Sequence, residues 1–84
     1  MPNTRRDEDL AIAAAFGKRV RELRLDAGMT QEALAEASGL HPTFISNLER
    51  GYRVPTLPTV IRVAKGLATS GANVIEGLGI GIIG

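Results

Sequence analysis

The chain has 84 residues, no cysteine, one histidine and a formal net charge of +1. That length allows one compact domain, which buries only about 60% of its unfolded surface and has little stability to spare, so a stabilising contact with a second subunit fits from the start. Without cysteine there is no disulfide framework, thiolate metal site or cysteine nucleophile; one histidine excludes a two-histidine metal site, and so small a net charge leaves nucleic-acid affinity to depend on where the cations sit.

Residues 1–9, MPNTRRDED, are polar and mixed in charge, without the apolar core of a signal peptide, and read as a flexible N-terminal arm. No apolar run approaches the roughly 18 residues of a membrane span, so no membrane partner is expected. From residue 10 to residue 27, Ile12, Phe16, Val20, Leu23 and Ala27 recur every three or four positions. That spacing predicts the first amphipathic helix, with Lys18, Arg19, Arg21 and Glu22 on its other faces and Gly28 at its C-terminal end. The cluster Lys18-Arg19-Arg21 reads either as a solvated face or as a phosphate contact.

Thr30 suits an N-cap, and Gln31-Glu32-Ala33-Leu34-Ala35-Glu36-Ala37 are strong helix formers, with Glu32 near the positive end. Ser38-Gly39 closes this short second helix. A third spans about residues 42–50, with Pro42 at its first position, where a missing N–H costs nothing, and Gly51 after it. Phe44, Ile45 and Leu48 supply its buried side. After the loop Tyr52-Arg53-Val54-Pro55, Thr56 caps a fourth helix whose apolar stripe is Leu57, Val60, Val63 or Ala64, and Leu67. A short fifth helix over residues 70–78 carries Val74, Ile75 and Leu78, weakened by its glycines at about 1 kcal/mol each relative to alanine. Residues 79–84, GIGIIG, form an apolar glycine-rich tail. No strand alternation or internal repeat occurs, and the reading is all-α.

The informative segment is residues 31–50. Ala35 is small enough for two helices to cross closely, Gly39 relieves a sharp turn, and Leu34, Leu40, Ile45 and Leu48 point inward to fix the angle between them. Two helices locked in this way can lay the second into a major groove while the first crosses the backbone. The segment TQEALAEASGLHPTFISNLERGYRVPTL resembles the Cro/phage-repressor (Xre) family of helix-turn-helix regulators, and within it the restriction–modification controller proteins. The likeness extends to Arg-Glu-Leu-Arg at 21–24 and to Val63-Ala64-Lys65-Gly66-Leu67, and so covers about residues 10–78.

The resemblance implies a five-helix, lambda-repressor-like DNA-binding domain over residues 10–78, with the helix-turn-helix at helices 2 and 3. It implies that Gln31 contacts a phosphate and braces the recognition helix, and that Thr43, Ser46, Asn47 and Arg50 face the major groove. The side-chain chemistry agrees, since asparagine pairs with adenine and arginine with guanine, each through two hydrogen bonds. Arg53, with Tyr52, would grip phosphate beside that helix. Arg24 and Glu49 match a structural ion pair between helices 1 and 3. Pro42 departs from the long base-reading side chains common in the family and offers at most an apolar touch to a thymine methyl. His41 is an unusual cap that stands between phosphate contact and plain turn residue. With base readout this sparse, DNA deformability supplies part of the specificity.

Each assignment has a blander counterpart: Gln31 as a helix former, Thr43, Ser46 and Asn47 as surface polar residues, Arg50 as a complement to the helix's negative end, Tyr52 as a packing residue. A single module reads few base pairs, so a homodimer on a palindromic operator is expected, joined through Ile61, Val74, Ile75 and Leu78, with capping of the monomer core as the counter-reading. The expected partners are double-stranded DNA, a second copy, and RNA polymerase or a regulatory partner protein, in the cytoplasm and on the nucleoid when bound. No cofactor, metal or catalytic residue is expected, because the lone histidine lacks a nucleophile–acid constellation and no phosphate-binding glycine loop occurs. One alternative is an antitoxin or anti-activator that works mainly by binding another protein through its C-terminal apolar segment; a second is general nucleic-acid association, as in bridging coactivators of similar fold.

Overall fold

The computed structural model describes residues 4–76 and 78, which form five α-helices and, among those residues, no strand. They are α1 (Thr4–Asp26), α2 (Gln31–Ser38), α3 (Pro42–Glu49), α4 (Leu57–Gly66) and α5 (Gly71–Ile75). Helix α1 starts at Thr4, so the described part of the expected arm, residues 4–9, is helical. That segment contains no glycine or proline, and Asp7 complements the positive end of the helix dipole. It shows no apolar stripe, because it extends past the core and has nothing to bury. At the other end Ala27 lies beyond the helix and is exposed, not on the apolar face. Helix α5 is confined to five residues, with Ser70 as its N-cap. Residues 77 and 79–84, including the tail, lie outside the described residues.

One core collects side chains from every helix: Phe16 and Val20, Leu34 and Ala35, Ile45 and Leu48, Val63 and Ala64, and Val74. Helix α1 packs on α3 and α5, α2 packs on α3 and α4, and α4 packs on α5. Two of these approaches are closer than a side chain allows. A Cβ on Gly17 would fall on the backbone carbonyl oxygen of Leu48 and lie 2.9 Å from that of Glu49, so α1 and α3 touch through backbone. A Cβ on Gly66 would stand 2.9 Å from Ser38 Cβ, where α4 meets the end of α2. No described helix is long and apolar enough to cross a membrane.

Four helices end in the same reversal. Gly28, Gly39 and Gly51 sit at φ of +69°, +71° and +76° after α1, α2 and α3. In each case the glycine's own amide and the one after it bond back to carbonyls of the last turn, as with Gly39 N–H to Glu36 O and Leu40 N–H to Ala35 O. Helix α4 closes identically, with Ala68 N–H on Lys65 O and Thr69 N–H on Ala64 O, but Ala68 carries the positive φ of 56°. An L-residue with a Cβ is penalised there, and glycine is not. Ala68→Gly is therefore expected to stabilise the protein by about 1 kcal/mol, raising Tm by roughly 4–8 °C for a domain of this size. Thermal unfolding followed by circular dichroism checks it, and an unchanged or lower Tm contradicts the strain.

Candidate nucleic-acid interface

Helix α3 has two faces of opposite character. Ile45 and Leu48 are wholly buried. Thr43, Ser46, Asn47 and Arg50 follow one another at helical spacing on another side; Thr43 and Arg50 are exposed, and Ser46 and Asn47 are half-buried. Pro42 occupies the first position, exposed and with no N–H to offer. His41 caps the helix: its Nδ1 accepts the Thr43 N–H at 3.1 Å. The unusual cap is thus a working one, and it leaves the opposite ring nitrogen, Nε2, to meet anything beyond the helix.

What fixes α3 against the body is polar as well as apolar. Arg24 Nε donates to Glu49 Oε2 at 2.6 Å and its Nη2 donates to Oε1 at 3.0 Å, a two-point pairing between α1 and the last turn of α3. Arg24 Nη1 also donates to the Met29 carbonyl at 2.8 Å, which ties in the loop before α2. Gln31 Nε2 donates to Glu49 Oε1 at 3.1 Å. Three donor groups from two side chains therefore converge on one carboxylate whose side chain is 2% exposed. The Arg24 pKa lies above its ordinary value, chiefly through the hydrogen bonds it donates to Glu49; burial opposes this, and the charges of Glu49 and Glu32 add to it. Gln31, to which the resemblance gives both a phosphate contact and a bracing role, here bonds Glu49 at the end of α3.

The chain leaves α3 through Gly51, with Gly51 N–H on Leu48 O at 3.0 Å and Tyr52 N–H on Asn47 O at 2.9 Å. This cap turns the following residues back beside the helix. Arg50 Cζ lies 5.9 Å from the centroid of the exposed Tyr52 ring, and Arg53 Cζ lies 5.6 Å from that of Phe44. Arg50, Arg53, Tyr52 and the α3 row thus lie on and beside one helix. Of the α1 basic cluster, Lys18 and Arg21 are exposed, whereas Arg19 is engaged by α5. Its Nε and Nη2 donate to the Asn73 carbonyl at 3.1 and 3.0 Å, Nη2 also reaches Asn73 Oδ1 at 2.9 Å, and Glu76 lies 3.7 Å away.

The residues expected to join two subunits separate into two groups. Ile61 and Ile75 are exposed on α4 and α5. Val74, however, is completely buried, and Leu78 is half-buried against the same core. Val74 completes this chain's own fold, because a short α5 must spend its apolar residue on the core to stay in place, while Leu78, beyond α5, is shared between core and surface. Leu57, read as a core residue, is instead 71% exposed and stands one turn before Ile61. The pair Leu57 and Ile61 at i, i+4 signalled a second apolar stripe on α4, outside the core stripe. Phe44, Gly17 and Gly66 carried no comparable signal, since their roles depend on neighbours distant in sequence.

Among the described residues no three of His, Cys, Asp and Glu gather as metal ligands. Comparison with known proteins places the chain among DNA regulators. The Helix-turn-helix family HTH_3 matches residues 20–72. Control protein C.BamHI of Bacillus amyloliquefaciens is 37% identical over 71 residues, 83% of this chain and 88% of that protein. Control protein C.SmaI of Serratia marcescens is 46% identical over 59 residues, 70% of each. The crystal structure of the restriction–modification controller protein C.AhdI from Aeromonas hydrophila superposes with a TM-score of 0.71 at 35% identity, over 74% of this chain and 94% of that one.

Proposed function

The chain belongs to the helix-turn-helix family that includes these control proteins, and on that premise we propose that it regulates transcription by binding a palindromic operator as a homodimer. The observation that carries this is the polar row of α3. Thr43, Ser46, Asn47 and Arg50 lie along one side of a helix whose other side is sealed into the core and whose last turn is held by Arg24 and Gln31. A helix with a free polar face and a fixed angle suits the major groove. Asn47 suits adenine and Arg50 guanine, with Thr43 and Ser46 adaptable beside them. Gln31 and Arg53 contact phosphate and set the register, with His41 and Tyr52 flanking them and Pro42 against a thymine methyl.

One such face reads too few base pairs to be selective alone. The exposed Leu57, Ile61 and Ile75 supply an apolar surface for a second copy, which sets two recognition helices about 34 Å apart on one side of the duplex. Residues 10–78 form the functional module. Binding across a promoter excludes RNA polymerase, and binding beside it recruits polymerase; both place the protein on the nucleoid in the cytoplasm. The role is regulatory, not enzymatic.

Selection of bound sites from a random duplex pool, with solution mass measured alongside, tests the reading. The expected result is a two-fold symmetric site bound by a dimer, with Asn47→Ala losing about 1–3 kcal/mol on that site and relaxing the preference at one base pair per half-site. Equal affinity for unrelated duplexes, or a stoichiometric protein partner with no operator preference, contradicts it.

A further inference from the structure

We propose that Phe44 is a positioning residue for DNA recognition: its ring holds the Arg53 guanidinium along the flank of α3 before DNA arrives. The proposal rests on the operator-binding reading above and adds to it a residue assigned so far only to packing. Phe44 is half-buried and packs against the hydrophobic core, so its ring is fixed on one side by the fold. The Arg53 guanidinium lies 5.6 Å from the ring centroid, inside the roughly 6 Å range of a cation–π contact. Arg53 reaches a residue nine positions earlier because the Gly51 cap reverses the chain beside α3.

The geometry matters because arginine stacks through its face and donates through its edge. A guanidinium lying on Phe44 by its face keeps the N–H donors of its edge for phosphate oxygens or a base edge. A free arginine on a loop loses rotamer freedom when it binds; one already held by an aromatic ring loses less. The other pair differs. Arg50 lies over Tyr52, whose ring is itself exposed, so neither partner anchors the other to the body. Lysine at position 53 would keep the charge but lose the stacking plane.

The test is a double-mutant cycle on the selected operator, using Phe44→Leu, Arg53→Ala and the double variant of the whole chain, each titrated over a range of KCl. Phe44→Leu is expected to weaken binding about two- to fivefold in the presence of Arg53 and not at all in the Arg53→Ala background, with Phe44→Tyr restoring wild-type affinity. Additive losses, wild-type affinity in Phe44→Leu, or tighter binding in it would overturn the proposal. The last would mean that the ring stores the arginine away from DNA. Should Phe44→Leu fail to fold, the Arg53 side-chain protons of the free wild-type protein are read by NMR. Upfield ring-current shifts support the contact, and random-coil shifts refute it. Failure of the wild-type protein to select any duplex would count against the operator reading, whereas the cycle and the NMR shifts bear on Phe44 alone.

Discussion

Replacing Glu49 by alanine is expected to cost about 3 kcal/mol or more, out of the roughly 4–13 kcal/mol available to a domain of 84 residues. Glu49 is the acceptor for Arg24 and Gln31, and the side chains of Arg24 and Glu49 are 8% and 2% exposed. Removing the carboxylate leaves a permanent cation under the protein surface with the Met29 carbonyl as its hydrogen-bond acceptor and the more distant charge of Glu32 in place of a paired partner. A pair of this kind adds little over a hydrophobic replacement, but half of it is strongly destabilising. The double variant Arg24→Met, Glu49→Leu should therefore recover most of the stability that Glu49→Ala loses. Urea unfolding of the three variants checks this through the midpoint at constant m-value. A Glu49→Ala protein as stable as wild type would show that the pair is solvated and that α3 is held by its apolar face alone.

Gly17→Ala should be nearly as damaging, against the usual sign. In a helix interior, alanine normally improves on glycine by roughly 0.5–1 kcal/mol. Here the added methyl would land on the Leu48 carbonyl oxygen and close to that of Glu49, and neither is the movable end of a side chain. Relief requires α1 and α3 to separate, which loosens Phe16 and Val20 from Ile45 and Leu48 and strains the Arg24–Glu49 pairing as well. Overpacking of this sort costs about 1–3 kcal/mol, so Tm should fall by at least 4 °C per kcal/mol. Operator affinity should also drop at temperatures where the variant is still folded, because the recognition helix is displaced. A higher Tm in Gly17→Ala would mean that the two backbones are not in contact.

Both substitutions act on the junction between α1 and α3, and this junction links stability to recognition. Behind the polar row of α3 stand one backbone contact and one carboxylate, together with the buried Ile45 and Leu48. On the operator-binding proposal, substitutions along that row are expected to change the sequence read without disturbing the fold, whereas substitutions behind it are expected to disturb both.

Much of the framework was legible in order along the chain. Apolar spacing in residues 10–27, the caps Thr30 and Thr56, Pro42 at a first helical position and the glycines at 28, 39 and 51 report local rules. Each depends on residues a few positions apart, and the structure places helix ends where they point. The extension of α1 to Thr4 escaped because a helix that buries nothing leaves no apolar period. Leu57 and Val74 exchanged roles for a related reason: hydrophobicity marks a residue as apolar without saying which surface it covers.

The sequence by itself therefore determined the helical character and order of the described elements and, through the family resemblance with which their helical spacing agrees, the polar row Thr43, Ser46, Asn47 and Arg50. Only the tertiary structure decided that Gln31 braces Glu49, that Arg19 serves α5 and not the cationic face, that Phe44 carries Arg53, and that Gly17 admits no side chain. Those outcomes depend on which distant segments meet and at what distance. That is set by packing all five helices around one core, and no local pattern contains it.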